Sequence, residues 1–181
     1  MRPSTLRAAV AEAAFMTGLE RNADVVRLSA YAPLLAHIDA WRWTPNLIWF
    51  DNLRAFGTPS YRVQQLFGAH RGARVLPLTM EGSPANGTRG VFASAAMADD
   101  GTTVILKLVN PSSTAMPVSL SVGTTATSAE TWVLTGPPDA ENTFAQPDRV
   151  RPSHESVTVT GGRLERTLPA SSFSVIRVAR R

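Results

Sequence analysis

Cysteine is absent from the 181 residues, which excludes a disulfide framework and any thiolate-ligated metal site. Histidine is scarce, and His37, His70 and His154 stand too far apart for a metal-ligand motif. No metal and no cofactor is expected. Lysine is nearly missing too: Lys107 is the only one, so arginine carries almost all of the positive charge behind the net +4. Those arginines (Arg7, Arg21, Arg27, Arg54, Arg89 and Arg163 among them) are dispersed rather than clustered with aromatics, which argues against a nucleic-acid partner. Long apolar runs are also lacking. None approaches the ~20 residues of a membrane span, and the opening MRPSTLRAAVAEAAF has no uninterrupted apolar stretch followed by a cleavage site. The chain reads as soluble and untargeted, with its compartment unreadable.

What is present is the makeup of a packed globular protein. Hydrophobic residues account for 44% and charged residues for 18%, with 13 Pro and 12 Gly, which is neither a disordered nor a collagen-like profile. The length suits one ordinary domain, or the remainder of one domain joined to a small complete one.

The first third has helical periodicity. Leu6, Val10, Ala13, Ala14 and Thr17 recur at three- and four-residue spacing after Ser4, a candidate N-cap, while Glu12 and Glu20 fall off that stripe and are expected to face solvent. A second short helix is expected after Asn22, opened by Asp24 and running through about Ala30, stopped by Pro33. Leu34 to Ile38 then reads as a buried strand and Asn46 to Asp51 as another. The segment from Thr58 reads as a helix, with Thr58 as N-cap and Pro59 at its first position.

Beyond about Arg74 the period drops to two. In Thr102 to Asn110, Val104, Leu106 and Leu108 face one way and Ile105, Lys107 and Val109 the other. Further strands are expected at Val91–Met97, Met116–Val122, Glu130–Leu134, Ser156–Thr160, Gly162–Leu168 and Phe173–Val178, with a Pro-rich surface loop from Thr135 to Pro152. Many short strands without intervening helices indicate an antiparallel sandwich. A boundary is expected near residues 72–76. The first segment would leave the apolar groups of AEAAF, YAPLL and LIWF uncovered unless they fold onto the sandwich, dimerise or belong to a larger barrel.

The series AEAAFMTGLERNADVVRLSAYAPLLAHI, WTPNLIWFDN and GTPSYRVQQLF, followed by LTGPPDAENTFAQPDRVRP and LPASSFSVIRV, resembles the C-terminal region of glycoside hydrolase family 51 α-L-arabinofuranosidases over nearly the whole chain. The resemblance implies a mostly β chain: residues 1–73 as the last α/β elements of an incomplete (β/α)8 barrel, and 74–181 as an antiparallel, jelly-roll-like β-sandwich. It implies retaining hydrolysis of non-reducing-end arabinofuranosyl groups of arabinan or arabinoxylan, by two glutamates that lie upstream of this segment. The partners so implied are an arabinose-containing polysaccharide or oligosaccharide, a missing upstream barrel segment and further copies of the chain in a homo-oligomer.

The chain's own carboxylates (Glu12, Glu20, Asp24, Glu81, Glu130, Glu141, Glu155 and Glu165) read as solvated charges. Asp39 and Asp51, near strand ends, match no catalytic position of the family. The contribution expected here is substrate contact. Asn46 falls where the family places a sugar-binding amide, and Trp41 and Trp43 could stack on sugar C–H faces or simply cover the barrel rim. His37 reads as structural. The alternative from a different class is a non-catalytic β-sandwich module that binds carbohydrate or a protein partner, for which Trp132 would be the stacking residue.

Overall fold

The computed structural model describes residues 4–123 and 125–180. Its elements run α1 (Leu6–Arg21), β1 (Leu35–His37), β2 (Ile48–Phe50), β3 (Ala55–Gly57), α2 (Pro59–Ala69), β4 (Arg74–Leu76), β5 (Thr79–Met80), β6 (Ser83–Pro84), β7 (Phe92–Met97), β8 (Thr103–Asn110), β9 (Met116–Ser121), β10 (Ser128–Leu134), β11 (Ser153–Thr158), β12 (Arg163–Leu168) and β13 (Ser172–Ala179). Six strands form one antiparallel sheet in the order β11-β10-β13-β8-β7-β4. The antiparallel pair β9–β12 lies across one face of it, and β1-β2-β3 form a separate small sheet. The chain is therefore mostly β, with a sandwich at its centre.

The alternation read in β8 sets the layering. Val104, Leu106 and Leu108 enter the core shared with Val118, Leu164 and Leu168 of β9 and β12. Ile105 and Val109 enter a second core with Leu6, Val10 and Ala13 of α1, Val63 and Leu66 of α2, and Phe173 and Val175 of β13. All eight residues of β8 are buried. The sheet thus carries strands on one face and helices on the other, and Phe67 stacks on Phe173 with ring centroids 5.1 Å apart.

Lys107 lies on the helical side with its side chain 1% exposed. A buried ammonium costs several kcal/mol unless paired. Glu20 of α1 supplies the counter-charge, accepting from Lys107 and also from the Ser94 hydroxyl of β7, while the Phe67 ring covers the ammonium at 4.9 Å. Burial lowers the Lys107 pKa and Glu20 pulls it back up. The expectation of solvent for Glu20 is thus corrected: helical phase alone cannot register a charge waiting in a strand 87 positions later. Glu12 is corrected in the same way. It accepts from Gln64 of α2 at 2.5 Å, and burial raises its pKa against hydrogen bonds from Ser60 and Gln64.

Helix ends follow local chemistry with one shift. Thr5 rather than Ser4 caps α1, its Oγ1 accepting from Ala8 N–H, because the Ser4 hydroxyl is committed to Ser60 at 2.6 Å. The next orphan donors, Leu6 and Arg7 N–H, reach the carbonyls of Ala140 and Pro138, each at 2.8 Å, in the Pro-rich loop. Thr58 caps α2 and Pro59 opens it as expected. The second helix through Ala30 does not form. Asn22 ends α1 by returning its side-chain amide to the Gly18 carbonyl, and a single turn follows, in which Val25 and Val26 N–H bond the Asn22 carbonyl, without continuing into a helix. Strand β1 is shorter than Leu34 to Ile38 and not a buried one, since only Ala36 is inside. Strand β11 starts three residues earlier than expected, because residues 159–162 make the turn into β12 with Gly161 and Gly162 at φ of 57° and 74°.

The loop 135–152 is anchored rather than free. Asn142 is fully buried, donating to the carbonyls of Gly57 (2.9 Å) and Val150 (3.0 Å) and accepting from Val150 N–H (2.7 Å). At the far end of α2, the capping residue His70 packs on Trp132 of β10 at 4.2 Å, and His154 of β11 stacks on the same indole at 4.6 Å. Desolvation first, then repulsion from Arg177, Lys107 and His154, pushes the His70 imidazole down to about 4.

Two expectations arise from this packing. Glu20→Gln strands the Lys107 ammonium and should lower unfolding free energy by about 3–5 kcal/mol, whereas Glu20→Leu with Lys107→Met should cost far less, both read from urea titrations. His70 binds a proton near pH 6.5 when unfolded but only near 4 when folded. Stability should therefore fall between those values as the pH drops, by on the order of 2 kcal/mol, and level off below. His70→Gln should flatten that slope in urea titrations repeated across the pH range.

Candidate functional site

The parallel pair β1–β2 positions the residues singled out from the sequence. Leu35, Ala36 and His37 lie opposite Ile48, Trp49 and Phe50, and β3 pairs antiparallel on the other side of β2. The connection 38–47 leaves the C-terminal end of β1 and returns along it, so that Leu47 N–H bonds the Pro33 carbonyl at 3.3 Å. Beneath this connection Trp49 is fully buried with Ala36 and Phe56, flanked by Ile38 and Phe144.

The three expected contact residues occupy different environments. Trp41 sets its ring edge-to-face against Trp49, centroids 5.8 Å apart, and is 38% exposed. Trp43 is 72% exposed, an indole presented to solvent. Asn46 is buried, and its side-chain amide donates to the Trp43 carbonyl. The amide therefore braces the backbone that carries Trp43. Asn46 also lies at the N-terminal end of the strand pair, beside residues 33 and 34, whereas His37 and Asn52 mark the C-terminal end.

At that C-terminal end His37 Nε2 meets Asn52 Oδ1 at 3.3 Å, and Asp39 N–H donates to His37 Nδ1 at 3.2 Å. Asn52 had no signal in the sequence, because its partner stands 15 residues away across the parallel pair. Asp51 is spent on its own turn: it accepts from the N–H groups of Leu53 and Arg54 and from the Arg54 guanidinium at 2.8 and 3.1 Å, and those bonds hold its carboxyl below the usual range.

The remaining carboxylates are mostly engaged as well. Glu81 pairs with Arg89, Glu155 with Arg166, and Asp148 with Arg62. Glu130 accepts from Ser156 and His154, which lowers its pKa, and Glu165 accepts from Ser119. Among the described residues no cluster of three or more His, Asp or Glu side chains could hold a metal ion. Trp132, the candidate platform of the sandwich, is half-buried and in contact with both His70 and His154.

Comparison with known proteins places this arrangement in a family. Residues 1–172 match the family model described as the α-L-arabinofuranosidase C-terminal domain. A probable α-L-arabinofuranosidase A of Aspergillus terreus is 36% identical over 173 residues, covering 94% of this chain and 26% of the relative. α-L-Arabinofuranosidase 1 of Arabidopsis thaliana is 34% identical, with the same coverage on each side. The chain thus spans about a quarter of the length of these curated relatives. The arabinose-bound MgGH51 α-L-arabinofuranosidase superposes with a TM-score of 0.91 at 34% identity, over 100% of this chain and 28% of that one. The α-L-arabinofuranosidase of Thermotoga maritima shares the fold, with a TM-score of 0.81 at 24% identity over 98% of this chain and 39% of its own. On the match to residues 1–172, the relatives covering 94% of its length and this shared fold, the chain belongs to the α-L-arabinofuranosidase C-terminal domain family.

Proposed function

We propose that the chain is the C-terminal part of an enzyme that removes non-reducing-end α-L-arabinofuranosyl groups from arabinan or arabinoxylan with retention. In this reading residues 1–73 close a (β/α)8 barrel, 74–181 form its companion sandwich, and both catalytic glutamates come from an upstream segment. The observation that carries the reading is the unpaired edge of β1. Among the described residues this strand pairs with β2 alone, in parallel and on one side, and Leu34 and Leu35 at its start are more than half exposed, as are Val25 and Leu28 in the segment leading to it. Parallel strands rarely stop at an open, apolar edge, and a further parallel strand would cover it.

The chemistry needs one carboxylic acid and one nucleophilic carboxylate about 5–5.5 Å apart. Here Glu20 neutralises Lys107, Asp51 caps a turn, Glu12 is folded into the α1–α2 interface, and the sandwich carboxylates hold arginines, histidine or hydroxyls. Catalysis by this chain alone is therefore not expected. Its role is to wall the sugar site, with the Trp43 ring as the face open to a pentose, Asn46 holding its backbone and Trp41 wedged behind. The non-catalytic sandwich reading is weaker, because the ring it requires, Trp132, is already stacked by His154 and capped by His70.

The purified 181-residue chain should release no p-nitrophenol from p-nitrophenyl α-L-arabinofuranoside, and activity should appear when an upstream segment carrying both glutamates is co-produced. Turnover by the chain alone would overturn the proposal. In the complete enzyme, Trp43→Ala should raise KM about 3–10-fold, the worth of one aromatic stacking contact, with a smaller effect on kcat. Trp41→Ala should instead lower the melting temperature, having lost a packing contact with Trp49.

A further inference from the structure

The sugar-binding role just proposed rests on Trp43 and its brace, Asn46, in the connection between β1 and β2. The C-terminal end of the β1–β2 pair carries a polar device that the family resemblance did not single out. Active sites of barrels built from parallel strands collect at the C-terminal ends of the strands, and in β1–β2 that end is formed by His37, Phe50 and the turn after it.

Hydrogen bonding fixes the state of each group there. The main-chain N–H of Asp39 donates to His37 Nδ1, so that nitrogen is unprotonated and the ring proton of the neutral imidazole sits on Nε2. Nε2–H is then the donor toward Asn52 Oδ1. Phe50, directly opposite His37 in the strand register, meets the imidazole edge-on at 5.2 Å and 81°, which restrains its tilt. With Oδ1 held by His37, the Asn52 carboxamide must direct its Nδ2 group away from the imidazole, and Asn52 is exposed. Asp51, the adjacent carboxylate, is saturated by Arg54 and two backbone N–H groups and does not compete for this donor.

An oriented amide donor at the C-terminal end of parallel strands suits an acceptor without charge, such as a sugar hydroxyl or ring oxygen. We propose that Asn52 is a substrate-contact residue and His37 the positioning residue that aims it, together forming a second contact with the arabinofuranosyl chain. This deepens the proposed function and depends on it.

The test is side-chain NMR of the 181-residue chain titrated with methyl α-L-arabinofuranoside to about 100 mM, the weak range expected for one sugar on an open surface. The His37 Nε2–H tautomer should be visible before any sugar is added. The His37 ring and Asn52 Nδ2 resonances should then move with saturation, alongside the Trp43 indole. Asn52→Asp keeps the acceptor for His37 but deletes the outward donor, and should weaken the effect at this end roughly tenfold. His37→Phe should weaken it similarly by releasing the carboxamide, and His37→Gln, which can still donate, should restore part of it. If only Trp43 and Asn46 respond, the Asn52 contact is refuted and the arabinofuranosyl reading stands. Silence at all four residues would refute both. Equal responses to methyl α-D-glucopyranoside would refute the contact as a specific one.

Discussion

The arrangement depends on a strand that is covered on both faces. β8 sits inside the six-stranded sheet with β9 and β12 against one side and α1 and α2 against the other, and all eight of its residues are buried. A two-sided core cannot exist without the helical layer, so the helices belong to the same hydrophobic unit as the sheet they lie on. Lys107 makes that dependence specific. An ammonium within this core is tolerable only where a carboxylate meets it, and Glu20, one residue before the end of α1, fixes the helix against β7 and β8 in a single register. Arg21 adds to the lock by donating to the carbonyl of Ala93 at 2.6 Å.

The same coupling reaches the small sheet through the Pro-rich loop. Its carbonyls at Pro138 and Ala140 terminate the first turn of α1, and its buried Asn142 ties β3 to the loop's own far end. The Phe144 ring packs edge-on against Phe56 at 4.9 Å. A segment without regular hydrogen bonds thereby joins the helices, the sandwich and the β1–β2–β3 sheet. Trp41 rests edge-on against Trp49 on that base, whereas Trp43 is presented to solvent.

The legible parts were those governed by neighbours in sequence. The two-residue period of Thr102 to Asn110, the Thr58-Pro59 start of α2 and the Pro-rich loop all depend on local sterics and capping, and each appears where expected. The illegible parts were pairings over distance. Glu12 and Glu20 looked solvated because helical phase ranks positions within one helix and is blind to Gln64 or Lys107. The helix expected after Asn22 does not form; Asn22 returns its side-chain amide to the Gly18 carbonyl to stop α1, and the chain beyond it turns toward β1. The short strands β3 to β6, two or three residues each, show no measurable period and exist only through their partners.

By itself the sequence determined the class of the fold and the family, because strand period, capping residues and an ordered run of motifs are properties of consecutive residues. It also named Trp41, Trp43 and Asn46 as a group. Only the tertiary structure decided how each of them is held: one indole against Trp49, one exposed, and an amide donating to the Trp43 carbonyl. It alone brought His37 to Asn52 and Lys107 to Glu20. The physical reason is that hydrogen bonds and ion pairs are set by separation in space, and the chain fixes that separation only after its apolar faces have chosen their partners.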